Sequence, residues 1–343
     1  MTVNKSKRNV AIMCIRIVAM LFIFTDHAVA YTDIPYKAVI IQITNSANLI
    51  FLYISGFLYG GKSIDDIKGW IKKRILRLWI PYFIFVFIYF LVAGIYGGGL
   101  KIMKPFLIYT FVLQGFLGTE GGPGTLWFMT LLVLCYCLIP LLQRLRDYMM
   151  SVSNSRYWAL GVTALIVIQQ LLLAFHCNLT LDFGHPGSWY LVALFMFSCG
   201  YFSNRKITSS GIPTRKLIIW TVSMCVAMTI RVISQSLIDG TILYNKVISI
   251  WTNFILDIWI IYFIYFVVDR MQRFFDCELI RQGDKINYPF YLVHATVLGI
   301  CFGANISGLP LILVSFVLSI VYAYVLNFVS GKVISAISDR TSG

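Results

Sequence analysis

Arg16 and His27 stand eleven residues apart in the first apolar run of the chain. On an α-helix that spacing is about three turns and a rise of about 16 Å. The two side chains therefore share a face, one near each end of a membrane crossing. A guanidinium and an imidazole are costly in hydrocarbon, so their presence there marks a functional site. Arginine grips phosphate with a planar fork, and histidine is the usual general base near neutral pH. The pair predicts a site that holds an anion at one membrane face and moves a proton towards the other. Asp26 joins His27 as a catalytic candidate. Adjacent helical residues do not face each other, so Asp26 is expected to set local charge or touch substrate rather than to orient the ring.

A second cationic group lies in Lys72-Lys-Arg-Ile-Leu-Arg77. Arg74 and Arg77 are three apart and share a helix face, which suits a phosphate clamp beside Arg16. The same run also suits a basic collar on anionic lipid. His294 lies in Tyr288-Pro-Phe-Tyr-Leu-Val-His294, deep in a late apolar segment, where a histidine is either a packed, hydrogen-bonded residue or part of a site. Arg231 and Asp257 are further ionisable groups inside apolar runs. They read either as a structural pair or as a polar pocket for a hydroxylated substrate, with Gln169, Gln170, Gln235 and Asn253 available to either. No metal site is expected. His176 and His185 lack ligand spacing, and Cys135 and Cys137, two apart on a helix, point away from each other.

These residues need helices across a bilayer to position them. The chain has 343 residues, 59% hydrophobic and 12% charged, about half the charged fraction of soluble domains. The apolar runs are continuous rather than alternating, which predicts an all-α integral membrane protein and not a barrel. Ten spans are expected, near 10–30, 38–60, 79–97, 125–143, 157–175, 188–204, 216–238, 246–268, 287–304 and 309–330, forming a single multispanning domain over 1–343. With the N-terminus in the cytoplasm, alternate connections carry 22 Lys and Arg on the inner side against 4 on the outer. That bias predicts cytoplasmic N- and C-termini. It also explains the net charge of +14 without nucleic acid. The stretch 98–124 is expected outside, with 105–117 lying in the interface or re-entering the membrane.

Taken together, the motifs resemble the membrane-bound acyltransferase-3 family, the bacterial O-acyltransferases of surface carbohydrates. The family's first-helix Arg-x10-His is matched by Arg16 and His27, and its Ser-Gly-Phe-Leu helix by Ser55, Gly56, Phe57 and Leu58. Its Arg-x-x-Arg-Leu before Pro is matched by Arg74, Arg77, Leu78 and Pro81. Leu126-Trp127-Phe128 and Tyr288-x-x-Tyr291-Leu-x-His294 match two later motifs. The resemblance covers nearly the whole chain.

It implies a multi-pass protein of the bacterial plasma membrane with no bound cofactor. Acetyl-CoA or another acyl-CoA is the expected donor, and a surface or lipid-linked carbohydrate the acceptor. His27 would be the base. Arg16, Arg74 and Arg77 would hold the coenzyme phosphates, and Trp127, Tyr288 and His294 would line the passage between. A transporter or flippase for a lipid-linked or polymeric glycan is the alternative that ten spans with buried charges also allow. A glycan polymerase is a third, for which no large outer catalytic loop is visible.

Overall fold

The computed structural model describes residues 9–45, 47–60, 62–151, 187–241 and 243–340. The expected span 157–175, with Arg156, Gln169, Gln170, His176 and His185, lies outside the described residues. The helices in chain order are α1 Val10–Ala30, α2 Lys37–Thr44, α3 Ala47–Gly60, α4 Ile67–Ala93, α5 Met103–Thr110, α6 Gln114–Leu117, α7 Trp127–Ser151, α8 Gly187–Ser210, α9 Thr214–Ile238, α10 Ser249–Arg270, α11 Gln272–Phe275, α12 Glu278–Gly303 and α13 Gly308–Arg340.

Among the described residues, eight helical stretches are long and apolar enough to cross a membrane, and α8 carries a shorter apolar stretch, Val192–Asn204. The protein is therefore an all-α membrane protein. Its outer surface is apolar: α9 exposes Ile218, Val222 and Val226, and α13 exposes Leu313, Val317 and Val325. That is the surface a bilayer demands, since lipid rather than water covers it.

Several helix bounds differ from expectation: α12 begins at Glu278 rather than near 287, and α13 runs on to Arg340. The segment 38–60 is one candidate span, Lys37–Gly60, made of two helices, α2 and α3. It breaks after Thr44, where Asn45 ends α2 and its side chain accepts from Asn253 Nδ2 at 3.2 Å. The fourth helix begins at Ile67 rather than near 79, because a basic run is no obstacle to helix formation. Asp66 caps it, accepting from Gly69 N at 2.9 Å, so the basic collar and the apolar span are one rod.

The helices nearest the functional residues pack through small residues. A Cβ placed on Gly56 would lie 2.0 Å from the Phe197 carbonyl oxygen, and one on Gly200 would lie 1.9 Å from that of Tyr53. Backbone touches backbone here, the close approach that small residues permit in membranes. Gly56→Ala is expected to cost about 1–3 kcal/mol through overpacking, because a carbonyl cannot rotate aside as a side chain can. A thermal melt of the purified variant measures it.

Residues 103–117 fold back between α4 and α7. The turn joining α5 to α6 reaches Trp79, twelve residues into α4, where the basic collar ends. Backbone ends buried at such depth need donors. Tyr82 Oη donates to Tyr109 O at 2.7 Å, Trp79 Nε1 to Thr110 O at 3.1 Å and Thr130 Oγ1 to Val112 O at 2.7 Å. These bonds hold Val112 at φ 59°, a left-handed conformation that is strained for a β-branched residue. Of the two expectations for this stretch, the return into the helix bundle is the one found.

Candidate active site

α1 and α12 run parallel and in register. Arg16 is six residues into α1, and Asp284 six residues into α12. They form an ion pair, Nη1 to Oδ1, at 3.2 Å. Asn287 Nδ2 adds a bond to the Arg16 carbonyl at 2.7 Å. Two to three turns further on, Phe24 meets Phe290 edge-on at 5.8 Å, and the rings of His27 and His294 lie 5.2 Å apart. The axis foreseen from one helix is thus built by two, with an ion pair at one end and a histidine pair at the other.

Along the two helices one cavity lies before the histidine pair and one beyond it, and neither histidine is among their lining residues. The first, of about 170 Å³, is lined by Arg16, Ser55, Arg74, Tyr136, Asn287, Tyr288 and Tyr291 among others. The second, of about 540 Å³, starts one helical turn past the histidines, with Tyr31 just after α1 and Thr296 and Gly299 on α12, and is completed by Tyr89 and Thr125. Tyr291 lines the first and Thr125 the second, and Tyr291 Oη donates to Thr125 O at 2.6 Å. This one bond joins the walls of the two chambers.

The histidines have different environments. His294 is fully buried, and its Nδ1 lies 2.7 Å from the Tyr291 carbonyl oxygen. A carbonyl only accepts, so Nδ1 carries a proton, and in the neutral tautomer the lone pair is then on Nε2. That Nε2 is buried and has no hydrogen-bond partner among the described residues. His27 is part exposed, with about a third of its side chain accessible. The Asp26 carboxylate is 4.0 Å from His27 Nδ1, beyond hydrogen-bond range, and accepts from Thr44 Oγ1 at 3.4 Å instead. Asp26 therefore faces α2 and does not fix the ring.

The other predicted residues divide. Arg74 lines the first cavity, with its guanidinium carbon 4.9 Å from the centre of the Tyr59 ring. Arg77 is exposed on the collar. Lys62, counted in the sequence only for topology, also approaches Tyr59, with Nζ 5.4 Å from the ring centre. Its ammonium is pushed below its ordinary value, first by burial and then by repulsion from Arg74 and Arg77. Three cations thus crowd one end of the axis, a field that favours a polyanion.

Tyr288 lines the cavity and donates from Oη to Leu78 O at 2.7 Å. Trp127 is part buried at the start of α7, and it is the next residue, Phe128, that lines the cavity, 5.7 Å from the Tyr291 ring.

Arg231 and Asp257 lie elsewhere. Arg231 is buried and donates to Asn253 and, at 3.4 Å, to Ser249, tying α9 to α10. Asn253 in turn donates to Asn45. Asp257 is buried one turn beyond Asn253 on α10. Neither lines the two cavities on the axis. Arg231→Ala is expected to remove about 1.5–3 kcal/mol of stability, the worth of hydrogen bonds to a charged group, and to leave kinetics of the remaining folded protein unchanged. Thermal melts and steady-state rates, measured together, check both halves.

A family model described as an acyltransferase domain matches residues 9–328. The chain belongs to the acyltransferase-3 family. No curated protein and no solved structure matches the chain. As an acyltransferase-3 member it is a multi-pass membrane acyltransferase. Of the motif residues of the family reading, Arg16, Ser55, Arg74, Tyr288 and Tyr291 line the first cavity, while Arg77 and Trp127 line neither. Asp284, Asn287, Tyr136 and Lys62 were missed in the sequence. Only Asp284 left a signal, as an acid three residues before a late expected span that begins from the same side as α1.

Proposed function

We propose that this acyltransferase moves an acyl group, acetyl by default, from cytoplasmic acyl-CoA to a hydroxyl of a carbohydrate at the opposite membrane face. The observation that carries this reading is the pair of cavities on either side of the His27–His294 contact, with cations crowded at the far end of one of them.

The coenzyme phosphates would meet Arg16, Arg74 and Lys62 by charge-assisted bonds. Asp284 acts on the donor through Arg16: it fixes one edge of the guanidinium and leaves other N–H groups for phosphate. The pantetheine arm, slender and amide-bearing, suits the narrow first cavity, where Ser55, Asn287 and Tyr288 offer polar partners. It would deliver the thioester to the level of Tyr291. The acceptor would enter from the second cavity.

A hydroxyl is a poor nucleophile, so His27 would take its proton as the oxygen attacks the thioester carbonyl. The carbon–sulfur bond then breaks, the acyl group stays on the acceptor oxygen, and the coenzyme leaves as a thiolate that is reprotonated. The neutral His294 beside His27 offers its Nε2 lone pair to the imidazolium that forms. Tyr291, bonded to Thr125, would keep water and acceptor out of the donor cavity until the thioester arrives.

Mass spectrometry of surface glycans from cells with and without the protein tests the reading. Acyl mass present only with the protein supports it. Unchanged acylation with missing or shortened glycan would replace it with the transport or polymerase reading.

A further inference from the structure

A further cavity lies beside the transfer path. It measures about 650 Å³ and lies between α4, α7 and the turn of the folded-back pair α5–α6. Its lining is almost wholly apolar, with Trp79, Val133, Pro140 and the strained Val112, and Arg74 is its one charged lining residue. It opens sideways. Ile71, Phe111 and Val133 line it and are 42%, 69% and 41% exposed, on the surface that the bilayer covers.

Three observations point to an occupant with a hydrocarbon chain and an anionic head. An apolar cleft that faces lipid is filled more favourably by a chain than by water. At the basic end, Ile71 also belongs to an adjoining groove of about 330 Å³ whose walls include Lys68 and Lys72, so two cations stand beside the opening and Arg74 stands inside it. Finally, the indole Nε1 of Trp70, a lining residue, is buried with no hydrogen-bond acceptor among the described residues. An ester or phosphate oxygen would supply one once the Trp70 side chain turns its edge towards the opening.

We propose that this cavity is a binding site for one chain of an anionic phospholipid from the leaflet at the basic end, with its headgroup on Lys68, Lys72 and Arg74. The proposal does not require the acyl-transfer reading, although both place an anion at Arg74. The site shares Arg74, Leu78, Met129 and Tyr136 with the first cavity on the axis, so a bound lipid would brace one wall of the transfer path.

Native mass spectrometry of the full chain, stripped of lipid in detergent, tests the proposal. The probes are phosphatidylglycerol, phosphatidylcholine with the same chains, and palmitoyl-CoA. One phosphatidylglycerol is expected to bind about thirtyfold tighter than phosphatidylcholine, roughly fivefold for each of the two lysines. Lys68→Gln with Lys72→Gln should erase that preference. Val133→Trp, or Cys137→Trp on the same wall if the first misfolds, should fill the cavity and remove the bound lipid.

Equal binding of the two phospholipids, or lipid retained in both tryptophan variants, would overturn the proposal. Loss of palmitoyl-CoA alone in those variants would overturn it too, by assigning the cavity to the donor's chain.

Discussion

His27→Ala is expected to lower acyl transfer by about a hundred- to ten-thousandfold, the usual contribution of a positioned general base, while the protein still inserts and melts as the wild type does. Stability should hold because the His27 side chain is part exposed and its described contacts are the tilted ring of His294 and the edge of Asp26. His27→Gln keeps a hydrogen-bonding side chain of similar reach without a basic nitrogen, and should be almost as inactive. His294→Ala should behave differently. It removes a fully buried ring stacked on Phe290 at 6.1 Å, so it should cost stability as well as rate. Steady-state rates with acetyl-CoA and a soluble saccharide, alongside thermal melts, separate the two. Full activity in His27→Ala would remove the proton-transfer role altogether.

Arg16→Ala is expected to raise the KM for acyl-CoA by roughly ten- to a hundred-and-fifty-fold, the range for charge-assisted hydrogen bonds of about 1.5–3 kcal/mol, with a smaller change in kcat. The variant also removes the cation paired with Asp284, whose side chain is largely buried, and such a carboxylate without its partner destabilises by itself. The double variant Arg16→Ala with Asp284→Asn resolves the two effects. Its melting temperature should recover towards wild type, because the orphaned charge is gone, while the KM stays high, because the phosphate partner is still missing. Recovery of both would make Arg16 a purely structural partner of Asp284.

Much of this site was legible in the chain because a helix converts spacing into geometry. Eleven residues placed Arg16 and His27 on one face at two depths, and α1 forms as that period requires. The basic bias between spans, and the apolar runs themselves, fixed the class of protein. What was missed lies between helices. Asp284 pairs with Arg16 only because α12 packs parallel to α1 with matching register, a tertiary fact that no local period carries. Arg231 and Asp257 attracted attention as buried charges, yet Arg231 donates to Asn253 and Ser249, away from the axis. Gly56 stood out as part of a motif, and its reason is steric contact with the Phe197 carbonyl. The start of α4 was placed too late because hydropathy marks where lipid begins rather than where a helix does. The polar run Thr44-Asn-Ser was the visible hint of the break in 38–60.

The account rests on transfer along the α1–α12 axis, from one membrane face to the other, and a sided vesicle assay tests this most directly. The protein is reconstituted into sealed vesicles with the saccharide trapped in the lumen and labelled acetyl-CoA added outside. Labelled saccharide should accumulate in the lumen with wild-type protein and not with His27→Ala. Label transferred only when donor and acceptor share one side would contradict the account.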